Sequence, residues 1–150
     1  MSNPSYSTVL VGTDGSESSF RAVDRAAAVA RDAGASLLLV CAYRSKAPSN
    51  DPSSGDYGIA GPSLAEGVLH GAAARAKAAG VPEAETFGIE GDPVDALVKV
   101  IEQRKVDLIV VGNRGLNSLA GRLLGSVPAN VSHRAPCDVL IVHTTGRGAK

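Results

Sequence analysis

Two stretches of the sequence carry residue types suited to holding an anionic, hydroxyl-rich ligand: Gly12-Thr-Asp-Gly-Ser16 and Gly112 to Ser126. The second has glycines at 112, 115 and 125 with Ser126 directly after, a G-x2-G-x9-G-S spacing. Glycine lets a backbone curl around an oxygen-rich group without a Cβ clash, and the free N–H groups of a helix start complement negative charge. Ser126 adds a hydroxyl donor, while Arg114 and Arg122 bring cations into the same loop. Turns and caps would account for an isolated pair of glycines, but three in register before a helix fit a phosphate cradle. Asp14, taken alone, reads as an Asx turn or a helix cap. Opposite a phosphate loop, its carboxylate is better suited to accept hydrogen bonds from ribose hydroxyls than to face phosphates that repel it. The nucleoside is therefore expected on the Asp14 side and the phosphates on the Gly125 side. Backbone groups near Cys41 and Ala42 are candidates for the base edge.

Other chemistries lack their residues. The sequence has no G-x4-G-K-[ST] loop, no G-x-G-x-x-G fingerprint at a strand end and no G-x-S-x-G elbow. His70, His133 and His143 are far apart and form no close ligand pair, so no metal site is assigned. Fifteen basic residues balance fifteen acidic ones, which gives no positive field for nucleic acid. Tryptophan is absent and aromatic residues make up 3% of the chain, too few for stacking along a nucleic-acid strand. The start has no signal-like segment and the longest apolar run, Leu37 to Tyr43, is too short for a bilayer. A soluble, unexported, cytoplasmic protein without a membrane partner is expected. Cys41 and Cys137 lie in or beside apolar runs and are expected to behave as small buried hydrophobes with no redox role.

The elements that must position these residues alternate between strand and helix. Thr8 to Gly12 reads as a first strand, and Ser18 to Ala33 as a helix with Phe20, Val23, Ala26, Ala27 and Ala30 on one face and Gly34 as its stop. Leu37 to Ala42 is continuously apolar, as in a strand covered on both faces. Arg44 to Ser63 is polar and broken, a mobile loop and candidate lid. Leu64 to Ala79 reads as a helix despite Gly67 and Gly71, and Glu83 to Ile89 as a weak third strand. Gly91-Asp-Pro93 is a turn, an N-cap and a first-turn proline, followed by Val94, Leu97, Val98 and Ile101 at helical spacing. Asp107 to Val111 is a fourth strand, Ser126 to Arg134 a last helix, and Cys137 to His143 a fifth strand. With 150 residues and 44% hydrophobic content, one domain over residues 1–150 with loose termini is expected. The fold class implied is α/β, doubly wound and flavodoxin-like or Rossmann-like, with a five-stranded parallel sheet of order 3-2-1-4-5. In that order strands one and four are neighbours and their outgoing loops diverge, which opens a crevice at their carboxyl ends.

The spacing from Gly112 to Ser126 resembles the ATP-binding signature of the universal stress protein family. The strand ending in Gly12-Thr-Asp-Gly-Ser, the Gly91-Asp-Pro93 turn and the ending Ala135-Pro-Cys-Asp-Val-Leu-Ile-Val142 are also similar to that family. The likeness covers nearly the whole chain, with the Arg44 to Ser63 loop as its gap. The resemblance implies that Asp14 contacts the nucleoside; Gly12 and Thr13 beside it are further candidate site residues. By the same token Gly112 and Gly115 meet ribose and phosphate, and Gly125, Ser126 and Val127 hold the phosphates; Asn113 and Arg114, between the first two glycines, are further candidate site residues. Family members lacking these glycines do not bind ATP well. The stretch from Gly112 through His133 looks like that of small actinobacterial members, some of which bind cyclic AMP, so ATP or cyclic AMP is the implied ligand, with Mg²⁺ a candidate companion of ATP. The implied role is a nucleotide sensor or reservoir in stress response, working as a homodimer through strand five; the alternative is a weak ATPase or phosphotransfer enzyme, for which no general base can be named.

Overall fold

The computed structural model describes residues 5–44, 59–113 and 126–144. Its elements run β1 (Thr8–Gly12), α1 (Glu17–Ala33), β2 (Ser36–Arg44), β3 (Ile59–Ala60), α2 (Pro62–Ala78), β4 (Glu85–Glu90), α3 (Pro93–Arg104), β5 (Leu108–Gly112), α4 (Ser126–Arg134) and β6 (Asp138–Val142). The five longer strands are all parallel and lie in the order β4-β2-β1-β5-β6, which is the 3-2-1-4-5 arrangement expected from the sequence. The two-residue β3 is an addition: within the stretch expected to be loop, Ile59 and Ala60 pair with Tyr43 and Arg44 at the end of β2. The remainder of that expected lid, residues 45–58, lies outside the described residues, as do residues 114–125 of the glycine-rich stretch.

Apolar strand residues split between two cores because successive side chains point to opposite faces of a sheet. Val9, Val11, Leu37, Leu39 and Cys41 pack under α1 and α2. Leu10, Leu38, Val40, Ile109 and Val111 pack against the face that carries α3, with Val131 of α4 in the same cluster. Both faces of β1 and β2 are thus covered, which explains their unbroken apolar runs.

Local chemistry sets the helix ends. Ser16 caps α1, its hydroxyl accepting the Ser19 N–H at 3.1 Å, and Gly34 ends the helix in the left-handed region at φ 69°. Asp92 caps α3 by accepting from the N–H groups of Val94 and Asp95, with Pro93 in the first turn. α2 has no side-chain cap. It is fixed instead against α1: Arg75 forks onto Asp24 at 3.1 and 2.6 Å and lies 5.3 Å over the Phe20 ring. At the opposite end of the sheet, Asp107 falls just before β5 rather than inside it, and its carboxylate takes the N–H groups of Ser7 and Thr8. Cys137 likewise precedes β6.

β1 and β5 are central neighbours, with Val11 opposite Val110. After β1 the chain turns into α1, on one face of the sheet; α4, the next described helix after β5, packs against α3 on the other. That divergence leaves a crevice at the carboxyl ends of the two strands.

Candidate functional site

A cavity occupies this crevice, and its wall divides by chemistry. Val40, Ala42, Leu97, Val111, Val127 and Pro128 give an apolar slot, while Thr13, Asp14, Ser16, Ser18 and Ser19 give a rim of hydroxyls and one carboxylate. Such a slot suits a flat, weakly polar ring, and such a rim suits a sugar. Gly12, Pro93 and Gly112 complete the lining.

The rim is rigid because its own hydroxyls tie it down. Thr13, 8% exposed, shares a 2.7 Å hydrogen bond with the Ser19 hydroxyl, and its Oγ1 also accepts the Gly15 N–H at 3.1 Å. The backbone N–H of Thr13 donates to the Val40 carbonyl at 2.9 Å, which extends the β1–β2 ladder by one bond before the turn. Asp14 Oδ1 accepts the Ser16 N–H at 3.0 Å in an Asx turn. Among the described residues the other Asp14 oxygen takes no hydrogen bond, so the carboxylate can shape the turn and still accept from a ligand.

The two strand-end glycines have packing reasons of their own. A Cβ at Gly12 would meet Leu97 Cδ2 at 3.1 Å, and one at Gly112 would meet Thr144 at 3.3 Å. Each absent side chain makes room for a neighbouring protein group, one in the slot and one behind it.

Of the residues expected at the site, Gly12, Thr13, Asp14, Ala42, Gly112 and Val127 line the cavity. Cys41 is not in the lining: its side chain is fully buried in the α1–α2 core, on the opposite face from that of Ala42, while the contact expected there is through backbone groups. Its thiol is pushed up to about 11, by burial first and the Asp14 charge second, so it is not a nucleophile near neutral pH. Asn113 is not part of the lining either; its side-chain oxygen accepts from Thr144. Ser126 opens α4, and Arg114, Gly115, Arg122 and Gly125 lie outside the described residues. Ser16 belongs to the first expected stretch, whereas Ser18, Ser19, Pro93 and Leu97 were not anticipated. The signal for them was present, since every strand-to-helix turn of a parallel sheet opens at the same end, and Gly91-Asp-Pro93 is one of those turns. Among the described residues no group of three His, Cys, Asp or Glu side chains could hold a metal ion, and no helix is long and apolar enough to cross a membrane.

The universal stress protein family profile matches residues 5–143. A universal stress protein of Mycobacterium tuberculosis is 52% identical over 146 residues, covering 93% of this chain and 98% of the relative. One from Thermus aquaticus is 34% identical over 145 residues, covering 91% and 98%. Among solved structures, a universal stress protein in complex with cAMP is 48% identical with a TM-score of 0.76, over 95% of this chain and 100% of that one. At the level of fold alone, a universal stress protein of Archaeoglobus fulgidus in complex with dAMP is similar, with a TM-score of 0.68 at 22% identity over 91% and 97% of the two chains. The chain belongs to the universal stress protein family.

Proposed function

We propose that this chain binds an adenine nucleotide, ATP or cyclic AMP, in the cavity between the carboxyl ends of β1 and β5, and that it acts as a cytoplasmic sensor or reservoir in stress response. The observation that carries this reading is the cavity itself: an apolar slot edged by hydroxyls and the Asp14 carboxylate, at the diverging ends of two central parallel strands. The 48% identical universal stress protein solved with cAMP supports the class of ligand. In this reading the base enters the slot between Val40, Ala42 and Leu97, and Asp14 takes the ribose hydroxyls. The phosphates extend toward the start of α4, where free N–H groups and Ser126 receive them. Mg²⁺ arriving with ATP would draw its ligands from phosphate and water, with Asp14 the one carboxylate of the described cavity wall. The unit is one domain, and two copies associate through β6.

Calorimetric titration with ATP and cyclic AMP tests the reading. Asp14→Ala removes charge-assisted hydrogen bonds worth about 1.5–3 kcal/mol, so affinity for ATP falls about ten- to a hundredfold. The loss is smaller for cyclic AMP, whose 3′ oxygen is esterified and cannot donate. Unchanged affinity for both ligands would place the nucleotide elsewhere.

A further inference from the structure

Thr13 and Thr144 are the buried polar residues of the described chain, Thr13 lining the crevice and Thr144 packed behind its Gly112. Thr144, 3% exposed, follows the end of β6 by two residues and sits behind Gly112, where it fills the space that a Cβ there would need. A hydroxyl buried in this way is costly unless its hydrogen bonds are made, and here they are. Thr144 Oγ1 lies 2.5 Å from Ser18 Oγ and 3.2 Å from Asn113 Oδ1. Asn113 Oδ1 can only accept, so the Thr144 hydroxyl donates to it and receives the Ser18 hydroxyl in turn. The backbone joins in: the Thr144 N–H donates to Asn113 Oδ1 at 2.9 Å, and Arg21 Nη1 donates to the Thr144 carbonyl at 2.9 Å. Asn113 is also held by its own N–H, bonded to the Val142 carbonyl at 2.8 Å.

The two residues joined through Thr144 belong to different elements that flank the cavity: Ser18 lines it, and Asn113 directly follows Gly112, which does. Ser18 is in the first turn of α1 and faces the cavity. Asn113 is the first residue beyond β5, where the glycine-bearing loop departs. We propose that Thr144 is a positioning residue of the nucleotide site: its hydroxyl ties the first turn of α1 to the departure of the loop after β5 and so sets the width of the crevice. The inference rests on the nucleotide-binding reading above. It gives the expected site residues Asn113 and Gly112 a role in binding through Thr144, since Asn113 is not in the cavity lining and Gly112 yields its space to Thr144.

The test compares Thr144→Val, which keeps a methyl against Gly112 but loses the hydroxyl, with Thr144→Ser, which keeps the hydroxyl. The full chain is titrated calorimetrically with ATP and with cyclic AMP, and each ligand-free variant is melted. Without the clasp, ligand binding must itself fix the width of the crevice, so Thr144→Val weakens binding about three- to thirtyfold, part of the free energy of the two lost internal hydrogen bonds, while Thr144→Ser stays within about twofold of wild type. Wild-type affinity in Thr144→Val overturns the proposal, and so does a Thr144→Ser variant as weak as Thr144→Val, because the hydroxyl would then not be the agent. If Thr144→Val fails to fold, Asn113→Ala removes the acceptor of the same clasp and carries the same expected loss, with wild-type affinity there overturning the proposal. A wild-type chain that binds neither nucleotide overturns the nucleotide-binding reading itself, an outcome separate from any difference between variants.

Discussion

Asp14 illustrates how one side chain can serve fold and ligand together, since one carboxylate oxygen closes the turn onto the Ser16 N–H and the other is left to the cavity. Gly12 serves the slot through Leu97. A Cβ there already stands 3.1 Å from Leu97 Cδ2, so the branched side chain of Gly12→Val must drive Leu97 into the slot or lift α3. Gly12→Val should lower the melting temperature markedly and abolish nucleotide binding, in contrast to Asp14→Ala, which gives up one exposed turn hydrogen bond and so should lower melting of the ligand-free chain less than Gly12→Val does; paired melting and titration separate the two. The cysteines give a pH test of the fold. Cys41 is fully buried and its thiol is raised to about 11 from an ordinary 9.0, so the folded chain holds this proton more tightly than the unfolded chain does. The stabilisation is whole below pH 9.0 and declines as pH climbs from there toward about 11, because only the unfolded chain loses the proton in that window. The urea midpoint should fall across that range in the wild type and fall less in Cys41→Ala. At pH 8 a thiol reagent should modify partly exposed Cys137 in the folded chain and reach Cys41 only after urea unfolds it.

Among the elements, α3 ties helix capping to the site most directly, because its first turn supplies Pro93 and its second Leu97 to the cavity wall. Asp92→Ala removes both capping bonds and should cost about 1 kcal/mol, a drop of about 2–4 °C in melting temperature. A drop below half a degree would mean that the cap is redundant with Pro93. α3 was also the most legible helix in the sequence, since Gly91-Asp-Pro93 marks its start and Val94, Leu97, Val98 and Ile101 mark its buried face. The strand order was legible because continuous apolar runs alternating with helices admit few parallel arrangements. β3 was not, as two residues pairing at the end of β2 leave no periodicity to read. The separation of Cys41 from Ala42 follows from strand alternation, which assigns the cavity to one of two adjacent residues but not to which one until α3 is placed. The Ser18–Thr144–Asn113 clasp was invisible for a different reason: it joins Thr144 to Ser18, 126 positions away, and to Asn113, 31 away, through polar side chains that look like ordinary surface residues in the sequence.

At the scale of the whole molecule, the sheet ends, among the described residues, in two edge strands of unlike character, β4 and β6. β4 presents Glu85, Glu90 and a glycine at 88, and Arg104 pairs with Glu85 at 2.6 Å while lying 5.3 Å over Phe87; charge and a covering helix side chain both discourage another strand. β6 offers Val139, Leu140 and Ile141 in succession, with Ile141 36% exposed, and a groove beside it is lined by Tyr6, Val29, Leu108, Val139 and Leu140 together with the Asp138 carboxylate. An apolar edge of this kind is an open template for strand pairing, and pairing the same strand across a two-fold axis must be antiparallel. Two copies joined at β6 would bury Ile141 and complete the backbone hydrogen bonding of the edge, which is the basis for the homodimer proposed above. Sedimentation velocity at micromolar concentration should therefore show a dimer. Ile141→Lys puts a charge where the partner strand must approach; because Ile141 is already partly exposed in the single chain, the substitution should leave the far-ultraviolet spectrum intact and shift the sedimenting species to monomer. A wild-type chain that sediments as a monomer would remove the proposal, and an Ile141→Lys variant that remains fully dimeric would move the interface to another face of the molecule.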